Sequence, residues 1–245
     1  MEIKIITPSY KRSDNVKARM VFEDKLIIAC HEFEEKEYRR DNPNNEIMVL
    51  PDSIRWNMAK VRNYIKFNCG SKYLVMCDDD VEALWVFEDM EMKNNFDLEK
   101  TMAFLKNWFE MCEELGTTLW WVNMLKDRLA YREYAPFSLL CPILWPLSCH
   151  INVDDGLKYD ERLGLNEDYD YSMQVIWKYH KNLRFNKYYY EAGHLTEKGG
   201  CGSYRVLDEE KRQAEIMIRK RGNKVVKYDF SKSTNPRIYI PLKWA

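Results

Sequence analysis

Lys72-Tyr73-Leu74-Val75-Met76-Cys77-Asp78-Asp79-Asp80-Val81 is the stretch from which the rest of the chain can be placed. Tyr73 to Cys77 form an apolar run of strand length, too short for the core face of a helix, and Gly70-Ser71 punctuates its start. Three carboxylates then follow without a break. Alternate residues of an extended chain share a face, so Asp78 and Asp80 are expected to converge on one point. Asp79 turns away, and its substitution is expected to affect metal-dependent donor binding less than substitution of Asp78 or Asp80. Adjacent negative charges at the mouth of a sheet repel one another unless a cation sits among them. Hard oxygen ligands select magnesium or manganese, and a site with one or two protein carboxylates leaves coordination positions for substrate phosphates. A solvated acidic turn is the competing account.

The bulk properties fit a folded enzyme. The chain has 245 residues, 46% of them hydrophobic and 14% aromatic, which is enough for a substantial core and excludes a disordered polymer. No apolar run approaches the roughly 18 residues of a membrane span, and Met1-Glu2-Ile3-Lys4 leads directly into a strand pattern, so a non-membrane, cytoplasmic protein is expected. Seven cysteines, without a Cys-x-x-Cys pair, point to reduced thiols instead of a disulfide framework or a zinc ribbon. The net charge of −1 hides an asymmetry: residues 181–245 carry fifteen Lys and Arg against seven Asp and Glu. Such a basic end suits a polyanion, with Lys220 and Arg221 as candidate phosphate contacts; a solvated basic helix is the alternative.

In chain order, Ile3 to Thr7 reads as a buried strand, and Pro8-Ser9-Tyr10-Lys11-Arg12 as the loop leaving its C-terminal end, the edge where open α/β sheets bind ligands. A hydroxyl, an aromatic face and two cations there suit a base, a ribose and phosphates. Further strands are expected at Lys25 to Cys30 and Glu46 to Leu50, separated by a polar stretch in which His31 is a surface or loop residue. Pro51-Asp52-Ser53 supplies N-cap chemistry for a helix over Ile54 to Asn68. A long helix over Asp97 to Leu115 is followed by two strands, Thr117 to Met124 and Phe137 to Leu144, as antiparallel additions to a parallel sheet. Glu167 and Asp168 open a helix whose dipole favours them. A strand over Leu183 to Glu191 precedes a loop holding four of the nine glycines, with His194, Lys198 and Arg205 on it. A charged helix over Asp208 to Gly222 and a strand-like piece from Lys224 to Phe230 complete the chain.

The joint order of the Pro-Ser-Tyr loop, a helix carrying Ala59-Lys60-Val61-Arg62-Asn63, the Asp78-Asp79-Asp80 cluster and Asn166-Glu167-Asp168 resembles the GT-A glycosyltransferases, over roughly residues 1–205. The resemblance implies an α/β fold of GT-A type: a mostly parallel central sheet flanked by helices, with a smaller antiparallel acceptor-side sheet. It implies one domain over 1–245, with residues 1–90 as the nucleotide-binding half and 91–245 as the acceptor-side half. By the same resemblance Pro8, Ser9, Tyr10, Arg12 and Arg62 line the nucleotide, and Asp78 and Asp80 hold the metal. His194 is the candidate third ligand, and Lys198 or Arg205 closes over the diphosphate. Asp168, with Glu167 beside it, is the catalytic base of an inverting transfer. The implied cofactors are manganese or magnesium and a nucleoside-diphosphate sugar, a UDP-sugar being the expected donor.

With the basic C-terminal third and the Gly-His-x-Thr-x-Lys-Gly-Gly loop, the chain looks like the phage glycosyltransferases that modify hydroxymethylated pyrimidines in DNA, relatives of the base J enzyme. That resemblance implies a DNA partner and, for a phage protein, the host cytoplasm. A glycan, lipid or protein acceptor is the alternative, as are a metal-dependent nucleotidyltransferase and a binding module without catalysis. Against the nucleotidyltransferase, Pro8-Ser9-Tyr10 is not a Gly-rich phosphate loop. The intact acid cluster and acid pair count against the binding module. Oligomeric state leaves no mark in the sequence.

Overall fold

The computed structural model describes residues 1–89, 91–94, 96–123, 131–141, 146–193, 206–229 and, for the backbone, 237–239. The N-terminal part alternates strand and helix: β1 (Ile3–Pro8), α1 (Arg19–Phe22), β2 (Leu26–His31), α2 (Glu35–Asp41), β3 (Glu46–Leu50), α3 (Met58–Asn68) and β4 (Tyr73–Cys77). β2 lies parallel between β1 and β3, and β4 returns parallel to the other side of β1. The strand order therefore reverses at β1 and β4. Chain leaving the carboxyl ends of both strands meets in one crevice, the place where open α/β sheets take their ligands.

Past β4 come β5 (Val81–Glu88), β6 (Glu91–Lys93), α4 (Leu98–Glu114), β7 (Leu119–Asn123), β8 (Phe137–Ser138), β9 (Leu147–Ile151), α5 (Glu167–Tyr179), β10 (Leu183–Ala192) and α6 (Leu207–Arg221). β9 is antiparallel to both β4 and β7, β10 is parallel to β7, and β5 runs back along β10. The sheet order is β3-β2-β1-β4-β9-β7-β10-β5-β6, with β8 on β10, and β11 (Lys227–Asp229) pairs with β12 (Arg237–Tyr239) apart from it. Among the described residues no helix is long and apolar enough to cross a membrane.

Four local expectations are corrected. The strand expected over Phe137 to Leu144 is reduced to the short β8, and the antiparallel strand is β9. Its sequence Leu-Ser-Cys-His-Ile hides a fully buried strand whose two polar residues pair, Ser148 Oγ lying 2.9 Å from His150 Nε2. α3 starts at Met58, not Ile54: Asn57 Oδ1 accepts from the Lys60 amide, and Trp56 just before it has φ +64°, outside the helical region. The polar stretch after β2 contains α2, whose Tyr38 is fully buried. His31, expected in a loop, is the buried end of β2, and burial lowers its pKa although Nδ1 lies 3.3 Å from the Pro51 carbonyl oxygen.

Period-two alternation splits the core between the two faces of the sheet. Ile5, Val75 and Trp120 face α1, α2 and α4, packing with Phe22, Tyr38 and Phe109. Their sequence neighbours Ile6, Leu74 and Trp121 face α3 and α5, packing with Ile65, Tyr159 and Val175. Trp120 is fully buried and meets Phe109 edge to face, with ring centroids 5.2 Å apart. Truncation there opens a cavity that rigid neighbours cannot fill. Trp120→Ala is expected to lower the unfolding free energy by about 3–5 kcal/mol in urea titration followed by circular dichroism.

Candidate active site

The acid turn after β4 is a junction of several segments. Asp79 is 6% exposed, and its carboxylate accepts from Ser9 Oγ at 2.6 Å and from Arg12 Nη1 at 2.6 Å. Ser9 in turn accepts from the Tyr38 hydroxyl at 2.8 Å, and that hydroxyl accepts from the Arg12 amide at 3.2 Å. The Asp79 carbonyl oxygen takes the amides of Lys17 and Ala18. The loop after β1 is thereby fastened to the turn after β4. Burial raises the Asp79 carboxyl above its ordinary value, opposed by Arg12 and Ser9. A solvated acidic turn is therefore ruled out. Asp79 turns to Ser9 and Arg12, where it acts as a tethering group. Ser9 and Arg12, expected against ribose and phosphates, have these polar groups taken up by Asp79.

Asp78 faces a different partner. Burial raises its carboxyl well above the usual carboxylate range; the Arg62 guanidinium opposes this, and Asp80, Asp79 and Glu167 add to it. Arg62, 4% exposed, projects from α3 and pairs with Glu167 across 2.5 Å. Burial works against the arginine's charge, but Glu167, Tyr159, Asp168 and Asp78 together hold its pKa above the ordinary value. Glu167 is raised by burial to about 7, with Arg62 opposing and Asp168 adding. One cation thus sits in the field of the strand-end acid and of the acid pair that opens α5. Arg62, expected along the nucleotide, lies beneath the site as the counter-charge.

Other side chains of α3 hold the segment that leads into α5. Asn63 Nδ2 donates to the Tyr159 carbonyl at 2.9 Å and Asn63 Oδ1 accepts from the Tyr159 amide at 2.9 Å. Asn57 Nδ2 donates to the Glu161 carbonyl at 2.7 Å, and Lys66 Nζ to the Leu157 carbonyl at 2.9 Å. Asp168 is half-buried at the start of α5, and its Oδ1 accepts from the Tyr169 amide at 2.8 Å. On the other side of the crevice Tyr10 meets Trp56 at 5.2 Å and His31 and Phe33 at 6.1 Å, all edge to face, while Phe33 and Trp56 are exposed. Pro8 ends β1 directly before this cluster.

Of the expected site residues, the structure brings Asp78, Arg62, Glu167 and Asp168 into one electrostatic cluster, with Asp80 acting on Asp78. His194, Lys198 and Arg205 lie outside the described residues. The Gly193 amide donates to the Asp80 carbonyl at 3.2 Å. Among the described residues no three His, Cys, Asp or Glu side chains form a metal-binding group. Tyr38 and Asp170 were not legible as site residues, each being a single residue in a charged run. Asn63 stood inside the quoted helix motif, and its bidentate clasp on Tyr159 required the fold. Lys220 and Arg221, expected to contact phosphates, both bind the buried Asp170 carboxylate at 2.7 and 2.8 Å, which corrects that expectation. A buried carboxylate holds its counter-ions more strongly than an exposed surface does.

A family described as TET-Associated Glycosyltransferase has a model that matches residues 3–200. No curated protein matches the sequence. Glucosyl-3-phosphoglycerate synthase from Mycobacterium tuberculosis, crystallised with Mn2+, UDP-glucose and phosphoglyceric acid, superposes with a TM-score of 0.53 at 9% identity, over 97% of this chain and 86% of that one. The mannosyltransferase PcManGT from Pyrobaculum calidifontis, in complex with GDP-Man and Mn2+, gives 0.52 at 14% identity, over 88% of this chain and 63% of that one. These likenesses show the GT-A fold that the motif order implied.

Asp79→Asn replaces the buried carboxylate that accepts from Arg12 and Ser9 with a neutral amide, so a loss of about 1–3 kcal/mol is expected in chemical denaturation. A change under 1 kcal/mol would show that the tether carries no load. Arg62→Met removes the one influence that lowers both Asp78 and Glu167. The folded-state pKa of Glu167 then rises further above its unfolded value, so protonation favours the folded variant, and its stability is lost as pH rises through that folded value. The stability gap to the wild type is therefore expected to widen as pH rises past about 7, the wild-type value of Glu167, in paired urea titrations. A gap independent of pH would contradict the Arg62 assignment.

Proposed function

The chain belongs to the TET-associated glycosyltransferases, and from that premise we propose that it transfers a sugar from a nucleoside-diphosphate donor to the hydroxymethyl group of a modified pyrimidine in DNA, with inversion at the anomeric carbon. The observation that carries the chemistry is the Arg62-centred cluster, which joins the strand-end acid Asp78 to Glu167 and Asp168 at the carboxyl edge of the sheet. Two carboxylate sites with separate tasks are what metal-assisted transfer to a hydroxyl requires. The acceptor is supported by the family's association with TET and by the resemblance to hydroxymethylpyrimidine-modifying enzymes.

Asp78 and Asp80 fit a divalent cation. Both are hard oxygen donors, and repulsion with burial raises Asp78, a strain that a cation relieves. Two carboxylates would leave positions on a magnesium or manganese ion for diphosphate oxygens and water, and both superposed enzymes were crystallised with Mn2+. Manganese or magnesium held there supplies charge neutralisation for the leaving diphosphate. The Tyr10 ring, in its cluster with Trp56 and Phe33, offers an aromatic face to the donor base, a UDP-sugar being the donor proposed. Asp168 accepts the proton of the acceptor hydroxyl as that oxygen attacks the anomeric carbon, and the bond from that carbon to the diphosphate oxygen breaks. Glu167, neutralised by Arg62, fixes the helix turn from which Asp168 projects. His194, Lys198 and Arg205 are proposed, from the family resemblance, for the third metal contact and the diphosphate. With Lys220 and Arg221 committed to Asp170, DNA phosphates fall to exposed cations such as Lys211, Lys224 and Lys227.

One experiment tests the whole assignment: nucleoside diphosphate release is measured with a panel of nucleotide sugars and manganese, on hydroxymethylated and plain duplexes. Asp78→Ala and Asp80→Ala are expected to abolish manganese-dependent donor binding in calorimetry. Asp168→Asn is expected to keep donor affinity and lose about 10²–10⁴-fold in turnover. Binding to the duplex should weaken steeply with salt. Wild-type turnover in Asp168→Asn removes the inverting mechanism, and activity confined to a glycan or peptide removes the DNA acceptor.

A further inference from the structure

α6 grips the start of α5 at two separate points. At the first, Gln213, 1% exposed, accepts through Oε1 from the Leu165 amide at 2.9 Å and from Asn166 Nδ2 at 3.4 Å. Glu210, also buried, accepts from the same Asn166 Nδ2 at 3.3 Å. At the second, about two helical turns further along α6, Lys220 Nζ donates to Asp170 Oδ2 at 2.7 Å and to Asp160 Oδ2 at 2.8 Å. Arg221 Nη2 donates to Asp170 Oδ1 at 2.8 Å. Asp170 is fully buried, and Gln174 Nε2 also donates to it at 2.8 Å. Between the two grips, Met217 packs with Leu163, Met173 and Val226.

Glu167 and Asp168 stand in sequence between the gripped residues, Leu165 and Asn166 before them and Asp170 after. We propose that α6 is a positioning element for the transfer step: by fixing the first turn of α5 it sets where the Asp168 carboxylate stands against the acceptor hydroxyl. This rests on Asp168 being the base. α6 begins at Leu207, beyond the residues matched by the family model, so the device is an addition to the matched motifs. The donor side is held differently, by Asp79 through the loop after β1. Loosening α6 therefore separates turnover from donor affinity, and displacement of a catalytic group by about 1 Å costs on the order of 100-fold in rate.

The test compares Arg221→Met, Arg221→Lys and Gln213→Met with the wild-type full chain on a hydroxymethylated duplex with a nucleotide sugar and manganese. In Arg221→Met and Gln213→Met, kcat is expected to fall about 10- to 100-fold, with the donor dissociation constant within about twofold of wild type. Arg221→Lys should recover most of the turnover, because it keeps a cation beside Asp170. Hydrogen exchange at the amides of Glu167 to Asp170 reads the positioning directly and should quicken in both weakened variants. Wild-type kcat in folded Arg221→Met and Gln213→Met, or equal losses in donor affinity and turnover, overturns the proposal, as does unchanged exchange in both. If Arg221→Met does not fold, Gln213→Met decides alone, since it removes an uncharged acceptor. Asp168→Asn in the same assay tells the two failures apart: wild-type turnover there removes the base while the exchange result for α6 still stands.

Discussion

Asp78 ends a parallel strand and Glu167 opens a helix far along the chain, and the Arg62 guanidinium draws both carboxylates into one buried volume. Desolvation and mutual repulsion push Asp78 and Glu167 toward their protonated forms, and a permanently charged cation beside them opposes that. Lysine would not do the same, since its proton can leave when its surroundings become apolar. The arrangement costs desolvation of every member, which is why the cluster is completed by several charges at once and not by one isolated pair.

Around that cation the three consecutive aspartates divide their work by direction. Asp78 turns toward Arg62, Asp79 holds the loop after β1 through Ser9 and Arg12, and the Asp80 backbone receives the amide of Gly193 at the end of β10. Three segments distant in sequence therefore meet on three adjacent residues. The reversal of strand order between β1 and β4 makes this possible, because it leaves both carboxyl ends open to the same crevice. A nucleotide bound there would be contacted by a loop whose position is set by Asp79 and by acids whose charge is set by Arg62.

The helix carrying the acid pair is held from two sides by different chemistry. Beneath it, Asn57, Asn63 and Lys66 of α3 bond to backbone groups of residues 157–161, so the approach to α5 is fixed whatever side chains occupy that segment. Above it, α6 binds the Leu165 amide through Gln213 but otherwise holds the turn by its side chains, with an amide and a carboxylate at Asn166 and two cations at Asp170. Backbone clasping gives a permanent frame. Side-chain clasping depends on the residues present and is the adjustable part of the two.

The sequence by itself determined the strand before the acid cluster, the long helix over Asp97 to Leu115, the helix opened by Glu167 and Asp168, and the α/β class, because each is written in local periodicity and helix-terminal charge. β4 has the bounds read from its apolar run, and α4 lies within the helix read, with Asp97 as its N-cap. The order of the acid motifs carried the GT-A fold. Only the tertiary structure decided what each polar residue touches. β9 was hidden because its polar residues Ser148 and His150 pair inside the sheet, and α2 was hidden because its one buried aromatic, Tyr38, lies in a charged run. Asp79 became a tether, Arg62 a counter-charge beneath the site, and Lys220 and Arg221 anchors for Asp170, through contacts between residues far apart in the chain. Periodicity records which face a residue takes, but the partner of a buried charge is chosen by the packing of whole elements, and no local pattern encodes it.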